Sequence, residues 1–258
     1  VGLFFCFNWW YGDIGIKNRI YKKMYKKILL KISGEALLDR DNSNIISALK
    51  LNFFISQIKE IYDKNIKIGL VIGGGNILRG ENTKNLPITR YKADNMGMLS
   101  TVINGIAFEE ALINNGMSAV LLSSLEINKV CEFYTTQKAI EYLNNNKIVI
   151  FAGGVANPYF STDTGAILKA LEIGADVVLK GTQVKGIYDK DPKKFDDAQM
   201  YNQISHDEFI SKNLLVMDQT AVILAKKEKL PIVVFNIHQE GSLKNILLNN
   251  QIDSIIKT

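Results

Sequence analysis

Ile66-Lys67-Ile68-Gly69-Leu70-Val71-Ile72-Gly73-Gly74-Gly75 is a short, almost uniformly apolar run that breaks directly into three glycines. A run this short suits a strand buried on both faces, as strands are in a parallel sheet covered by crossover helices. The glycines let the backbone approach an anion closely and take up positive φ, and Arg79 just beyond can offer a two-pronged fork to phosphate oxygens. The spacing is not Gly-x-x-x-x-Gly-Lys-Ser/Thr, nor the Gly-x-Gly-x-x-Gly of dinucleotide binders. A plain glycine-rich turn is the alternative, though three glycines are entropically costly for one.

Similar runs recur on both sides. Lys27 to Ile32, Ala119 to Ser123, Lys147 to Phe151, Val177 to Lys180 and Ile232 to Asn236 read as further strands. Between them, Ile45 to Lys64 carries Ile45, Leu49, Phe53, Ile58 and Ile61 at helical spacing. Asp94 to Asn115, Thr135 to Asn144, Thr162 to Gly174 and Asp218 to Lys229 read as helices too, several with Asp or Thr as starting caps. Strand and helix alternate, which predicts an α/β fold with a mostly parallel sheet. Gly181 to Asn202 lacks a sustained period and reads as a long loop or small ribbon.

The 258 residues suffice for one large α/β domain, and 47% hydrophobic with 22% charged residues is ordinary globular usage. A net charge of +5 suits polyanionic ligands but is equally explained by solvated lysines. Cys6 and Cys131 lie far apart, which argues against a disulfide framework or a zinc site and fits a reducing cytoplasm. Residues 1–23 differ from the rest: Leu3 to Tyr11 is apolar and aromatic, and Lys17 to Lys27 is basic. That order is the reverse of a secretory signal, and the apolar run is shorter than the roughly 18 residues of a membrane helix. Residues 1–23 are read as a disordered extension or a mis-called start, with organelle targeting as the alternative, and 24–258 as a single domain.

In open parallel sheets ligands bind beyond the carboxyl ends of the strands. Four junctions there carry chemistry. Lys31-Ile32-Ser33-Gly34 places a point charge beside flexible N–H donors, although a lysine beside an ordinary turn reads as well. The glycine loop is the second. The third is Gly153-Gly154 followed by a polar loop and a helix start at Thr162-Asp163, where free N–H groups favour anions. Asp163 is there either a helix cap or a carboxylate that orients Lys31 or holds Mg²⁺. The fourth, Lys180-Gly181-Thr182 with Tyr188 and Asp191, suits an adenosine site or a solvated surface loop.

In sequence order, Lys31-Ile-Ser-Gly-Glu-Ala-Leu, Gly73-Gly-Gly-Asn-Ile-Leu-Arg-Gly, Asp94-Asn-Met-Gly-Met-Leu, Asn157-Pro-Tyr-Phe-Ser-Thr-Asp163 and Val216-Met-Asp218 resemble the bacterial-type UMP kinases from about Met24 to the end. The resemblance implies the amino-acid-kinase fold, a three-layer αβα sandwich, and transfer of the ATP γ-phosphoryl group to UMP. It assigns Lys31, Ile32, Ser33, Gly34, Gly75, Arg79, Thr182, Tyr188 and Asp191 to ATP. It assigns Gly74, Asp94, Val155, Ala156, Asn157, Pro158, Tyr159, Phe160, Ser161 and Thr162 to UMP, with Asp94 on the sugar. Lys31, Arg79 and Asp163 are the expected catalytic residues, with Lys180 a second candidate for phosphate, and Asp218 is expected to cap its helix. Met96, Met98 and Leu99 are read simply as the apolar face of their helix. Mg²⁺ is expected to arrive with ATP rather than through direct protein ligands.

The acceptor is itself a phosphate with a second pKa of about 6, already ionised at neutral pH, so no general base is needed. What remains is in-line alignment and neutralisation of charge. The resemblance further implies a cytoplasmic homohexamer serving pyrimidine nucleotide biosynthesis and inhibited by UTP, with neither membrane nor nucleic acid as a partner. Relatives activated by GTP use arginines where this chain has Glu109, Val120 and Lys147, which argues against GTP control. Another phosphoryl acceptor on the same fold, or a non-catalytic nucleotide or anion binder, are the rival readings.

Overall fold

The computed structural model describes residues 25–39, 44–78 and 87–258, so the readings for residues 1–23 and for Arg79 fall outside it. The strands are β1 Lys27–Ile32, β2 Lys67–Ile72, β3 Ala119–Ser123, β4 Glu132–Phe133, β5 Ile148–Ala152 and β6 Val177–Thr182. They continue with β7 Ile187–Tyr188, β8 Met200–Tyr201, β9 Gln203–Ile204, β10 Ile232–Asn236 and β11 Ile255–Ile256. The α-helices are α1 Ala48–Tyr62, α2 Arg90–Asn114, α3 Thr136–Asn144, α4 Thr162–Glu172, α5 His206–Ser211, α6 Gln219–Lys227 and α7 Ser242–Leu247.

Among the described residues, nine strands form one sheet in the order β4-β3-β5-β2-β1-β6-β10-β11-β9, and β7 and β8 pair as a separate antiparallel ribbon. Every pairing in the large sheet is parallel except β10 with β11. The strand residues alternate between two apolar cores. Ile28, Leu30, Leu70 and Ile150 pack with Phe54, Ile58, Phe108 and Leu243, from α1, α2 and α7. On the other face Leu29, Val71, Val149 and Val178 pack with Leu143, Ala166, Phe209 and Val222, from α3, α4, α5 and α6. With apolar side chains facing both layers, the strands read as continuous hydrophobic runs rather than alternating ones.

Two helical readings shift. Ile45 and Leu49 are exposed, and α1 instead buries Phe54, Ile55, Ile58 and Ile61. The helix starts at Ala48, with the Ser47 hydroxyl accepting from the Lys50 N–H, so Ile45 precedes it. Similarly, α2 begins at Arg90 with Thr89 as its cap, and Asp94 sits in its second turn rather than at its start. Gly181 to Asn202 does contain a small ribbon, formed by β7 and β8.

The strand order matters most for what comes next. β5, β2, β1 and β6 are consecutive neighbours and all parallel, so the four junctions singled out in the sequence lie side by side along one edge of the sheet.

Candidate active site

Along that edge, Lys31 of β1 stands in register with Lys180 of β6. Partners in a parallel register project to the same face, so two lysines share a row on the side covered by α4. Each is less than a tenth exposed. The first turn of α4 answers them with Asp163. Its Oδ1 is 2.9 Å from Lys31 Nζ, and its Oδ2 accepts a short hydrogen bond from Lys180 Nζ. The Lys31 contact is an ion pair without hydrogen-bond alignment, leaving Asp163 Oδ1 a buried carboxylate oxygen with no hydrogen-bond partner among the described residues.

The cap of α4 is Ser161, whose hydroxyl accepts from the Thr164 N–H. The capping alternative for Asp163 is therefore set aside, because that place is already filled. Burial by itself would raise the Asp163 pKa, but the charges of Lys31 and Lys180 hold it far below the usual carboxylate range. Lys180 moves to about 8, pulled down first by burial, with Asp163 resisting and the Lys31 charge adding to the shift. The asymmetry is physical. The carboxylate faces two cations, whereas each lysine faces one carboxylate and one rival ammonium.

Asp218 completes the cluster. Its Oδ1 accepts from the Thr220 N–H and so caps α6, while its Oδ2 accepts from the hydroxyls of Ser161 and Thr164. Burial works to raise its pKa, but these hydrogen bonds lower it overall. The Asp218 N–H also points at Asp163 Oδ2, 3.4 Å away. One aspartate thus ties the start of α6 to the start of α4.

The glycine loop is pressed against the β1 junction. A Cβ at Gly34 would stand 2.4 Å from the Gly73 carbonyl and 2.7 Å from the Gly75 nitrogen, so the two turns meet backbone to backbone. Beyond the loop opens a cavity of about 770 Å³, lined by Gly74, Gly75, Asp94, Val155, Asn157, Phe160, Ser161 and Thr162, together with Arg90, Met98 and Thr101. Among the residues assigned by sequence to the acceptor, Ala156, Pro158 and Tyr159 belong to the same loop but not to that lining. The Tyr159 N–H donates to Asp94 Oδ2 at 2.8 Å, with Tyr159 at φ +72°, and the Arg90 guanidinium sits 4.9 Å from the Tyr159 ring centroid.

Met98 faces inward and lines the cavity, whereas Met96 and Leu99 face outward, so the three do not form one apolar face. Thr182, Tyr188 and Asp191 lie apart from the cavity, on β6 and the β7–β8 ribbon that follows it. Thr182 and Asp191 shape that segment locally, through the Val184 and Lys193 N–H groups. Among the described residues no group of three or more His, Cys, Asp or Glu is placed to hold a metal ion.

Sequence reasoning passed over Arg90, Thr101 and the buried pair Asn76 and Asn104. The signal was present for two of them. Thr101 and Asn104 are polar positions on the inner side of an otherwise apolar helix, and buried polar groups must be hydrogen-bonded to something.

The amino acid kinase family matches residues 26–236. Among curated proteins, a uridylate kinase from Campylobacter jejuni is 47% identical over 234 residues, spanning 90% of this chain and 98% of that protein. Among solved structures, the UMP kinase from Bacillus anthracis superposes with a TM-score of 0.88 at 34% identity, covering 91% of this chain and 97% of that one. The UMP kinase from Ureaplasma parvum gives 0.85 at 35% identity, over 90% and 99%.

Replacing Asp163 by Ala strands two buried ammonium groups without a counter-charge. A loss of about 3–5 kcal/mol in unfolding free energy is expected. Urea unfolding at neutral pH measures it, and the deficit narrows as pH rises and Lys180 sheds its proton.

Proposed function

This chain belongs to the amino acid kinase family, and on that premise we propose how its residues carry the γ-phosphoryl group of ATP to the phosphate of UMP. It is an enzyme, a UMP kinase forming UDP and ADP. The observation that carries the residue assignment is the Lys31–Asp163–Lys180 cluster, set where the four strand-end loops converge.

Lys31 and Lys180 bring two positive charges to a poorly hydrated place, balanced by Asp163 between them and by Asp218 beside Lys180. Asp163 keeps the ammonium groups from repelling one another and points them along the sheet edge. Lys31 and Lys180 then meet the β and γ oxygens of ATP. As the γ group passes between the two nucleotides its charge spreads over peripheral oxygens, and donors fixed beforehand stabilise that charge without reorganising. The N–H groups of Gly74 and Gly75 supply further donors, as does the start of α4 at Thr162 toward the acceptor phosphate; the Gly73 N–H is held by the Ile32 carbonyl. Arg79 is assigned the same work on the transferring group, on the strength of the sequence. Asp94 receives the UMP sugar: its Oδ2 is taken by the Tyr159 N–H, leaving Oδ1 toward ribose hydroxyls. No residue is needed as a base, since the acceptor is already ionised.

Mg²⁺ fits this arrangement as a companion of ATP. It keeps several waters and binds through substrate phosphates with few protein ligands, which suits a site whose buried carboxylate, Asp163, already faces the Lys31 and Lys180 ammonium groups. When bound, it neutralises the β- and γ-phosphate oxygens. Adenosine is assigned to Tyr188, Asp191 and Thr182, and the polyphosphate approach to Ile32, Ser33, Gly34 and Gly75, all on the family pattern.

Self-association, into six chains on the family pattern, is part of the proposal. α2 is long and apolar enough to cross a membrane, yet it packs Val102, Phe108 and Leu112 into the sheet core. Its outer face leaves Leu99, Ile103, Ile106 and Ile113 exposed. An interface between copies accounts for that stripe without a membrane. UTP is proposed as an inhibitor that fills the UMP site, in a cytoplasmic enzyme of pyrimidine supply. GTP control is not proposed. Glu109 accepts from the Leu121 N–H, Val120 is buried, and Lys147 lies over the Tyr142 ring, so all three positions are engaged in local contacts.

UMP-dependent release of ADP, with Mg²⁺ present, tests the assignment. Lys31→Ala is expected to cost about 10²- to 10³-fold in turnover, and near-normal turnover in that variant removes Lys31 from the chemistry. The pH profile offers a second check. Lys180 is charged below about 8 in the folded protein and neutral above it, so kcat/KM for ATP falls as pH rises through that value. Lys180→Arg keeps its charge and moves the falling limb to higher pH. Stability carries the opposite sign: between about 8 and the ordinary 10.5 the unfolded chain binds the extra proton, so this lysine's contribution rises with pH. GTP is expected to change UDP formation by less than the ~5-fold at the low end of ordinary allosteric coupling.

A further inference from the structure

The inner side of α2 carries two polar residues that the chemistry above does not use. Asn104 is fully buried and Thr101 nearly so. Asn104 Nδ2 donates to the Gly73 carbonyl at 2.7 Å and to Asn76 Oδ1 at 2.7 Å, while its own Oδ1 accepts from Asn76 Nδ2 at 2.9 Å. Asn76 Nδ2 gives its other proton to the Ile45 carbonyl at 2.8 Å. Both amides are thereby satisfied, and their combined grip falls on the glycine loop after β2. One turn earlier, Thr101 Oγ1 accepts from the Gly153 N–H at 2.8 Å and donates to the Met98 carbonyl at 2.6 Å. Its grip falls on the other glycine turn, after β5.

The backbone packs to match. A Cβ at Gly74 would lie 2.7 Å from the Gly97 carbonyl and 2.7 Å from Ser100 Cβ, so the first loop rests directly on α2. Gly153 holds φ +76° in a turn where a Cβ would meet Leu125 N at 3.0 Å. The first loop is thus packed against the helix itself, and the second is fixed in its turn by Leu125 and joined to the helix through Thr101.

We propose that Thr101 and Asn104 are positioning residues, which index the phosphoryl-donor loop and the acceptor loop to one rigid helix so that the two phosphates meet in line. Apolar side chains at these places would leave the Gly73 carbonyl and the Gly153 N–H without these partners, which is unfavourable for buried backbone groups. What the polar groups supply is direction. Since α2 also bears Asp94, three separate contacts to the two substrates take their spacing from one element. A misplacement of about 1 Å between reacting groups costs on the order of 10²-fold in rate, so the spacing has kinetic weight. The inference rests on phosphoryl transfer between groups held at these two loops.

The test compares Thr101→Val, which keeps the volume and loses the hydroxyl, with Thr101→Ser, which restores it. Expected for Thr101→Val are a kcat lowered at least ~10-fold, KM for both nucleotides within about threefold of the original, and faster amide hydrogen exchange at Gly153; Thr101→Ser recovers all three. A kcat within about twofold of the original, or Gly153 exchange unchanged, overturns the proposal. Should Thr101→Val fail to fold, the paired change Asn76→Leu with Asn104→Leu decides by the same kcat criterion, because it removes the amide pair's hold on the Gly73 carbonyl. The unmodified chain is assayed alongside. If it makes no UDP from ATP and UMP, the assigned activity fails, and Gly153 exchange in Thr101→Val alone then decides the clamp: faster exchange supports it and unchanged exchange overturns it.

Discussion

Two lysine ammonium groups on neighbouring strands, in register and facing one low-dielectric layer, repel each other too strongly to be left alone. The carboxylate of Asp163 makes the pair tenable, and much else in the molecule follows from having to put it there. Asp163 must come from the first turn of α4, so the end of that helix has to be fixed against the sheet. Ser161 caps it, and Asp218 reaches over from α6 to hold Ser161 and Thr164. In the proposed assignment the same helix start then faces the acceptor phosphate. Charge balance and substrate binding are thus built from one turn of backbone, and neither can be altered by itself.

α2 shows a complementary economy. Its inner side indexes the glycine loops and adds Phe108 to the core, its second turn presents Asp94 to the cavity, and its outer side is an uncovered apolar stripe. A helix with so many obligations has little room for a polar outer face. That explains why its composition passes for a membrane segment although half of its business is with a sheet.

Much of this was legible in the sequence, and the reasons are specific. The six major strands are short apolar runs ended by glycine or polar residues, and runs buried on both faces leave little doubt about their type. The two-residue strands β4, β9 and β11 escaped because elements so short carry no period, and β7 and β8 were foreseen only as a loop or small ribbon. Lys31, Lys180 and Asp163 could each be picked out as strand-end or helix-start residues, but their meeting depends on strand order, which periodicity does not encode. Arg90 and the Asn76–Asn104 pair were hidden for another reason. Their partners are backbone carbonyls, a neighbouring amide and an aromatic ring, all brought close only by tertiary packing. The misplaced start of α2 arose from local chemistry: Asp94 and Thr89 are both competent caps, and the sequence offers no way to weigh one against the other.

The arrangement β5-β2-β1-β6 also has a temporal side. β1 is the first of the described strands to be synthesised, yet it lies at the middle of the sheet, flanked by β2 and by the much later β6. Until β6 is made, one edge of β1 stays open and Lys31 lacks Lys180 beside it. Contacts spanning so much chain form slowly, because a long loop must close before they give any return. The nascent chain therefore carries Lys31 and the glycine loop after β2 well before it carries Asp163 and Lys180. Competence for phosphoryl transfer arrives late and all at once, with the strand that closes the centre of the sheet.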